Sequence, residues 1–543
     1  MTSIRVFYQA SRTFALTLGM LAGCNSIVGL DKLEVVEGPA KTDGTDVGIE
    51  CKTNQECTDA FSKDAIGDGG AAATTVPGAC IQKPTAHCVK LLSDDCDGIT
   101  GDYLNDKSIF IGSLFSTKGT TAPTNLPRQQ SAALAIEQIN AGGGIPIGST
   151  SANGRPLVLI SCDESTDLVR AATHLVSDLH VPAIVGPNTS QDTLDVSTKV
   201  TVPAGTVVMS PTGVASSIAN LSDNDLTWLM VPSDVQRAPL MIDQINALEA
   251  QIRDGVASRT VKLGIVFRND ALGIGTRTAL NDLKLNGKTL PGQLNGAVQI
   301  DPYDGAAADQ MAIVTKYTTS FMPDIIVLAG TSEAITKVMD PIEAAWPANV
   351  DRPQYILIDS TKVPDLLTSA GKSDSLRTRI RGTGITPGPS GKLTPSDTFL
   401  NFQLDYAVRY NNASATISGM GPSHDAAYAI GLALAATRTQ EVSGASVAQG
   451  LRKLAGGGTK LEATGTNVLE AIQHLAAGEK ISAVGTFGML DWDANGAVQG
   501  GTLEIWCIGS SAGKAVYGSS GLTYDIKTQT KGSTDYHACP VTP

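Results

Sequence analysis

Positive charge never gathers along this 543-residue chain. Its 40 Lys and Arg are outnumbered by 53 Asp and Glu, and the net charge is −13. Binding a polyanion requires a basic face, so nucleic acid is not an expected partner. Histidine is scarce: six residues, scattered. His174 and His180 stand six apart and do not share a helix face. His424 opens a predicted helix and reads as a cap or packing residue. No G-x-G-x-x-G follows a predicted strand, which argues against a dinucleotide fold. A phosphate loop needs G-x-x-x-x-G-K-[ST] directly after a strand. The one approximation, Gly371-Lys372-Ser373, has Leu366 at the first Gly position and follows a helix-like run.

Two further motifs fail on context. Gly509 to Gly513, "GSSAG", fits G-x-S-x-G, with Asp525 and His537 following in hydrolase order. A nucleophile elbow sits on a tight strand-to-helix turn, and this stretch lies in a Ser/Gly-rich tail with no helix after it. Asp491 to Gly496, "DWDANG", copies the start of a calcium loop, but Thr502 occupies the twelfth position, where a bidentate Glu is needed. Between apolar runs, "DANG" reads as a hairpin turn. With no nucleophile–base pair and no acid pair at a loop end, the chain is not expected to be an enzyme. No cofactor or metal is called for.

What is present begins with a leader. Arg5 and Arg12 precede a short apolar run, Thr13 to Ala22, that ends in "LAGC". Residues 1–23 read as a signal peptide, since the run is too short for a convincing membrane span. Small residues before Cys24 resemble the bacterial lipobox, in which the Cys is lipidated and becomes residue one. No later segment is apolar enough to span. The mature chain is thus expected to be anchored by lipid in a bacterial cell envelope, on the periplasmic or extracytoplasmic face. Residues 24–50 read as a tether.

Eight of the nine Cys remain, an even number in an oxidising compartment. Cys51, Cys57, Cys80, Cys88 and Cys96 fall in a polar module, residues 51–107, too small to bury much core without staples. It lacks paired C-x-x-C spacing, so disulfides are favoured over metal. Parity sends one cluster Cys outside. Cys96 with Cys162 and Cys507 with Cys539 are candidate pairs, and the remaining connectivity is open.

From Ser108 the texture is α/β. "SIFIGSL", "PLVLIS", "AIVG" and "TVVMS" read as buried strands alternating with helices. The pattern restarts with "KLGIVF", "DIIVLAG" and "QYILIDS". Continuous apolar strands between helices imply parallel sheets covered on both faces. Helices are predicted at Asp167–Asp178, Asp234–Ile252, Gly275–Leu285, Asp397–Arg409, His424–Arg438, Val447–Leu454 and Val468–Ala476. "FGMLDWDANGAVQGGTLEIWCI" reads as a β-hairpin. Ligands in such sheets sit beyond the carboxyl ends of the strands. The loops there are "FSTKG" (with Ser116 and Thr117), "PNTSQ" (Asn188, Thr189, Ser190), "SPTGV" (Ser210, Thr212, Gly213), "RNDALG" (Asp270, Leu272), "GTSE" (Thr331) and "DSTK" (Asp359). All offer hydroxyls, amides and backbone donors.

Seven segments in order carry a resemblance: "IGSLFSTKG", "SAALAIEQINAGGGI", "AIVGPNTSQDTLDVS", "VVMSPTGV", "DIIVLAGTSEA", "SHDAAYAIGLALAA" and "GTFGMLDWDANGAVQGGTLEIW". The chain from about 108 to 508 resembles the type I periplasmic binding proteins, the Leu/Ile/Val-binding-protein-like receptors of ABC transporters. The resemblance implies two Rossmann-like lobes in a Venus-flytrap arrangement, joined by three crossings placed near 232, 387 and 481; the disulfide-rich module that precedes them is outside the family's usual pattern. Lobe one would comprise 108–232 plus 388–480, and lobe two 233–387 plus 481–543. Ligand would bind in the cleft and favour its closure.

Family members seat a ligand carboxylate on hydroxyls and backbone N–H groups after the third strand. Thr189 and Ser190 match that place, and Ser116 and Thr117 match the loop after the first strand. "SPTGV" matches Ser-Pro-Ala-Ala-Thr of the amino-acid binders, with Val214 in place of the Thr. Leu272 replaces the family's Tyr before Gly, and Asp359 matches the acidic partner of the ligand amine. These departures leave the ligand class open between an α-amino acid and a less polar or differently shaped solute. The expected function is capture of a small polar or amphipathic solute for an ABC permease. The alternatives are a ligand-sensing receptor for a signalling partner, or an envelope interaction protein with a non-functional cleft.

Overall fold

A computed structural model describes residues 48–64, 75–148, 150–256, 258–386, 393–438 and 441–542. The leader, Cys24, most of the tether and the crossing expected near 387 lie outside the described residues. No described helix is long and apolar enough to cross a membrane.

The Cys-rich module opens with helix α1 (Asn54–Asp64), followed by a two-stranded hairpin of β1 (Gly78–Ile81) and β2 (His87–Lys90). Cys51–Cys80 and Cys57–Cys88 fasten helix to hairpin. The grouped sulfurs of Cys51, Cys57 and Cys80 therefore belong to disulfides rather than to a metal site. Buried Asn54 supports this joint: its Nδ2 donates to Tyr103 O (2.8 Å) and its Oδ1 accepts from Cys80 N (2.8 Å). The module's last strand, β3 (Cys96–Thr100), joins the sheet that follows, and Cys96–Cys162 makes that union covalent. Ala79, Ile81 and Leu91 lie in the same apolar core as Val158 and Leu175 of that sheet layer, so the module shares a core it is too small to build alone.

The first sheet contains β4 (Ile109–Phe115), β5 (Leu157–Asp163), β6 (Ala183–Val185), β7 (Val207–Ser210) and β8 (Thr227–Leu229). The order is β8-β7-β6-β4-β5-β3, parallel throughout except for β3. Every residue of β5 is buried, as expected of a strand covered on both faces. The longer helices between these strands are α2 (Ala122–Ala141), α3 (Leu168–Thr173) and α4 (Ser190–Val196).

The second sheet repeats the plan. After α5 (Asp234–Arg253) come β9 (Leu263–Arg268), α6 (Ala271–Ala279), β10 (Val298–Tyr303), β11 (Ile325–Ala329), β12 (Gln354–Leu357) and β13 (Ile380–Thr386). Their parallel order is β10-β9-β11-β12-β13. In both sheets the second strand stands at one side of the first and the later strands at the other. The site-forming switch point therefore falls beside the first strand's carboxyl end.

The chain then returns to the first sheet with α7 (Asp397–Arg409), α8 (Met420–Thr437), α9 (Gly444–Leu451), β14 (Thr459–Glu462), α10 (Val468–Ala477) and β15 (Ile481–Val484). Met420–Ala436 of α8 are buried on all sides, which the apolar run from Ala426 on permits and which the hydrogen-bonded Ser423, His424 and Asp425 tolerate. His424 is among them, inside the helix rather than at its start, with Nε2 2.9 Å from Gln138 Oε1. Leu490, Trp492 and Val498 still pack in the first core, and the next strand of the second sheet starts at Thr502. That passage therefore falls at 498–502, later than 481.

The final hairpin is β16 (Thr502–Ser511) with β17 (Lys514–Asp525), and β16 also pairs antiparallel with β13. Cys507–Cys539 ties the tail back to it. The expected hairpin at 487–508 is thus divided. Its "DANG" segment turns on its own, with Asp493 Oδ1 accepting from Asn495 N (2.9 Å) and Ala497 N (3.0 Å). "GSSAG" runs from β16 into the second turn, where Ala512 (φ 48°) and Gly513 (φ 71°) are left-handed and a strand follows, not a helix. The helix expected at Gly275–Leu285 starts earlier, at Ala271, because Asp270 caps it through Gly273 N (3.0 Å).

Candidate functional site

The loops after β6 and β7 interlock through hydroxyls. Thr189 is the N-cap of α4, its Oγ1 accepting from Asp192 N at 3.1 Å. Ser190 is buried, and its Oγ accepts from Val214 N (3.0 Å) and Ala215 N (3.2 Å). Ser210 Oγ donates to Pro187 O (2.7 Å) and accepts from Gly213 N (3.1 Å). Thr212 Oγ1 donates to Asn188 O (2.7 Å), and Asn188 Nδ2 donates to Asn125 Oδ1 (2.7 Å). Asn188, Thr189, Ser190, Ser210, Thr212 and Gly213 are therefore brought together. Much of their hydrogen-bonding capacity holds the two loops in place.

Ser116 and Thr117 join this group through the end of β5. Asp163, 1% exposed, accepts from the backbone N–H groups of Thr117 (2.7 Å) and Lys118 (3.1 Å) and from Ser165 Oγ (2.6 Å). Next to it Glu164 is 6% exposed. Its Oε1 accepts from Ser116 Oγ (3.3 Å), and its Oε2 has no partner among the described residues. Burial, reinforced by Asp192, pushes the Glu164 carboxyl up to about 8. Asn125 on α2 spans both loops, donating to Ser116 O (3.1 Å) and accepting from Asn188 and from Arg128 Nη1 (3.0 Å).

The second sheet's loops are organised by an arginine. Arg268, the last residue of β9, donates from Nε to Asp270 Oδ2 (2.6 Å) and from Nη1 to Thr331 Oγ1 (3.2 Å) and Glu333 Oε1 (3.3 Å). Asp270 and Thr331 are thus joined to each other. Leu272 packs half-buried against the second core. Asp359 stands apart from that pair, its Oδ2 3.7 Å from Arg237 Nη1. Arg268, Asn269, Asp270, Asp304, Gly305, Ala306 and Glu333 line a cavity of about 510 Å³, which takes in Asp270 alone among the expected residues.

The two groups of loops touch. Gln191 Oε1, in the first turn of α4, accepts from Ala271 N, in the first turn of α6 (3.2 Å). Ala271 packs with Ala215, Ile218 and Leu229. Asp192, raised by burial, lies within electrostatic reach of Arg268 and Asp270.

Asn125, Arg128, Asp163, Glu164 and Arg268 escaped the sequence reading. Asp163 and Glu164 close the second strand, whose following loop is as well placed as the others. Arg128 is the only charge in α2 before Glu137, a signal in an otherwise uncharged helical run.

The family model described as periplasmic binding protein matches residues 108–468. The fold is similar to that of the branched-chain amino acid transporter substrate-binding protein of Streptococcus pneumoniae, solved with isoleucine, at 17% identity and TM-score 0.52, covering 76% of this chain and 99% of that one. It is similar also to a leucine-binding protein of Thermotoga maritima (12%, TM-score 0.53, 76% and 97% covered). A periplasmic binding protein type 1 of Bordetella pertussis matches likewise (15%, TM-score 0.53, 76% and 100% covered). At these identities the likeness is one of fold. No curated protein matches the chain.

Proposed function

Because the chain belongs to the periplasmic binding protein family, a family of ligand-binding proteins rather than enzymes, we propose that it captures a small solute between its two α/β halves for an ABC importer. The observation that carries this reading is the meeting of the two loop groups, where Gln191 of one half accepts from Ala271 of the other. A solute seated there contacts both halves at once, so its binding free energy goes into holding them together. Ser116, Thr117, Asn188, Thr189 and Thr212 would face it from the first half, with Asp270, Thr331 and Asp359 from the second. Ser190, Ser210 and Gly213 would hold the seat's shape, and Leu272 would bound it with apolar surface.

The working place is extracytoplasmic. Lipidation at Cys24 would keep the protein beside its permease. A Cys24→Ser chain released into the soluble fraction would support that anchor, and retention in the membrane fraction would sink it.

The solutes named for the similar structures, isoleucine and leucine, are the first to try. Thermal denaturation of the full chain against amino acids, their amides, short peptides and aromatic acids tests the reading. A solute at a hundred times its dissociation constant stabilises by about 2.7 kcal/mol. A flat response across the whole set would leave the protein without the solute-binding role proposed here.

A further inference from the structure

The seat in the first half contains a cation that the fold does not neutralise. Arg128, on the second turn of α2, donates from Nε to Ser418 O (2.7 Å) and from Nη1 to Asn125 Oδ1 (3.0 Å). Both acceptors are neutral. Nη2 makes no hydrogen bond among the described residues, and no described carboxylate lies within ion-pair distance. Buried or half-buried arginines elsewhere are provided for. Arg268 has Asp270, Arg377 has Asp374, Arg379 has Glu343, and Arg381 lies 3.8 Å from the centre of the Tyr536 ring. Arg128 is half-buried, and its guanidinium meets only neutral acceptors, so its charge is left for an anionic group to take up.

Its neighbours place Arg128 inside the loop network. Asn125 Oδ1 accepts from both Arg128 and Asn188. Gly419 (φ 89°) closes over it: a Cβ there would lie 2.6 Å from Thr212 Cγ2 and 2.7 Å from Arg128 Nε. Arg128, Asn188 and Thr212 are thus one cluster. Burial lowers the guanidinium to about 10, with Asp359 of the second half acting against it, so the side chain stays charged at neutral pH. Asp359 is the carboxylate that faces this cation electrostatically from the other half, and it repels a second negative charge on anything seated between them.

Resting on the reading that this seat captures a solute, we propose that Arg128 is the counter-charge for an anionic group of that solute. The ligand class is then a small carboxylate, monoanionic or zwitterionic, with its acid group at Arg128 and any donor group toward Asp359. An ionised acceptor uses the free Nη2 and supplies the missing charge together, and a neutral amide supplies only a weaker acceptor.

Titration calorimetry on the full chain tests this with matched pairs: leucine and leucinamide, isovalerate and isovaleramide, benzoate and benzamide. The expected result is that at least one acid binds, its amide binds roughly ten- to a hundredfold more weakly, and R128Q loses the acid by a similar factor. The amide's affinity changes little in R128Q, and R128K keeps part of the acid's. An amide binding as tightly as its acid in the wild type, or R128Q retaining the acid, overturns the assignment and leaves solute capture standing. No binding by any of the three acids overturns the assignment, and solute capture then stands or falls on the wider melting screen. Melting of each variant checks folding, and if R128Q does not fold, the wild-type acid–amide comparison and R128K decide.

Discussion

The third strand of the first sheet runs into Gly186, and the third strand of the second sheet runs into Gly330, so the two glycines stand at matching corners. Their surroundings differ. Gly186 is left-handed (φ 102°), and a Cβ on it would lie 2.1 Å from the backbone oxygen of Leu114. A Cβ on Gly330 would meet the hydroxyl of Tyr303 at 1.9 Å, the tip of a side chain. The contrast extends to the loops. Those of the first sheet are held mostly by hydroxyls and amides, with the Asp163 carboxylate on Thr117 and Lys118, and those of the second by ion pairs around Arg268; a second ion-pair group, around Arg379, lies at the amino ends of the second sheet's strands. Carboxyls follow suit. Burial drives Glu164 up with no cation to oppose it, whereas Glu343, though burial raises it too, is brought below its ordinary value by Arg379, Tyr355 and Arg352. One strand order therefore supports a seat framed by hydroxyls and amides, with Asp163 and Arg128 set into it, on one side and a rim of ion pairs on the other.

The sharpest way to break the comparison is at the first corner. Gly186→Ala forces both a disfavoured φ and a backbone clash, and neither side can yield cheaply. We expect a loss of about 3 kcal/mol or more, read as a lower midpoint in urea denaturation, with poor expression as its extreme. A near-wild-type midpoint would show that the corner is not fixed as described.

Charge gives the next contrast. The Glu164 carboxyl rises from 4.5 in the unfolded chain to about 8 in the folded one, and Asp234 rises from 3.8 to about 8, both by burial. The folded state then holds these protons more tightly. Stability is full at pH values below the unfolded pKa values and falls as pH climbs toward about 8. Glu164→Gln removes one of the two sources, so it flattens the slope and stabilises the chain at pH 8 on the order of 2 kcal/mol. Denaturation midpoints of wild type and E164Q at pH 5 and pH 8 decide it: parallel lines would mean that Glu164 ionises freely. Glu343→Gln does the reverse at pH 8, leaving Arg379 and Arg352 without their carboxylate.

Ser190→Ala leaves Val214 N and Ala215 N buried without their acceptor. The cost should be roughly 1–2 kcal/mol in folding stability, with solute affinity falling alongside as the loop loosens. Affinity lost at unchanged stability would instead make Ser190 a direct ligand contact.

Strand-end chemistry was legible where the strands were. Continuous apolar runs such as "PLVLIS" and "DIIVLAG" identified both sheets, because strands covered on both faces need such runs. The strand β10, "VQIDPY", has no such run: it is an edge strand, its Pro302 exposed where no ladder donor is missed. The hydroxyl loops were found by their place after strands. Their roles could not be, because Ser190 answers to backbone 24 residues later and Ser210 to Pro187. Arg128 lay hidden for a related reason. A helix residue announces a site only when the loops that surround it are placed in space.

The smallest effect should come from the second corner, and it can be reversed. In Gly330→Ala the new methyl displaces the Tyr303 hydroxyl, which donates to Glu333 Oε1 (3.0 Å), and presses on Ala334 Cβ at 2.9 Å. No backbone atom opposes it within that range, and Gly330 is not left-handed, so the penalty should be about 1 kcal/mol. Tyr303→Phe removes the oxygen that the methyl strikes. Alone it costs the hydrogen bond; combined with Gly330→Ala it should recover part of the loss, giving a favourable coupling energy of about 0.5 kcal/mol or more in a double-mutant cycle. Strict additivity would place the strain at Ala334 Cβ and Glu333 Oε1 instead, both 2.9 Å from the new methyl. A penalty equal to that of Gly186→Ala would erase the difference between the two corners.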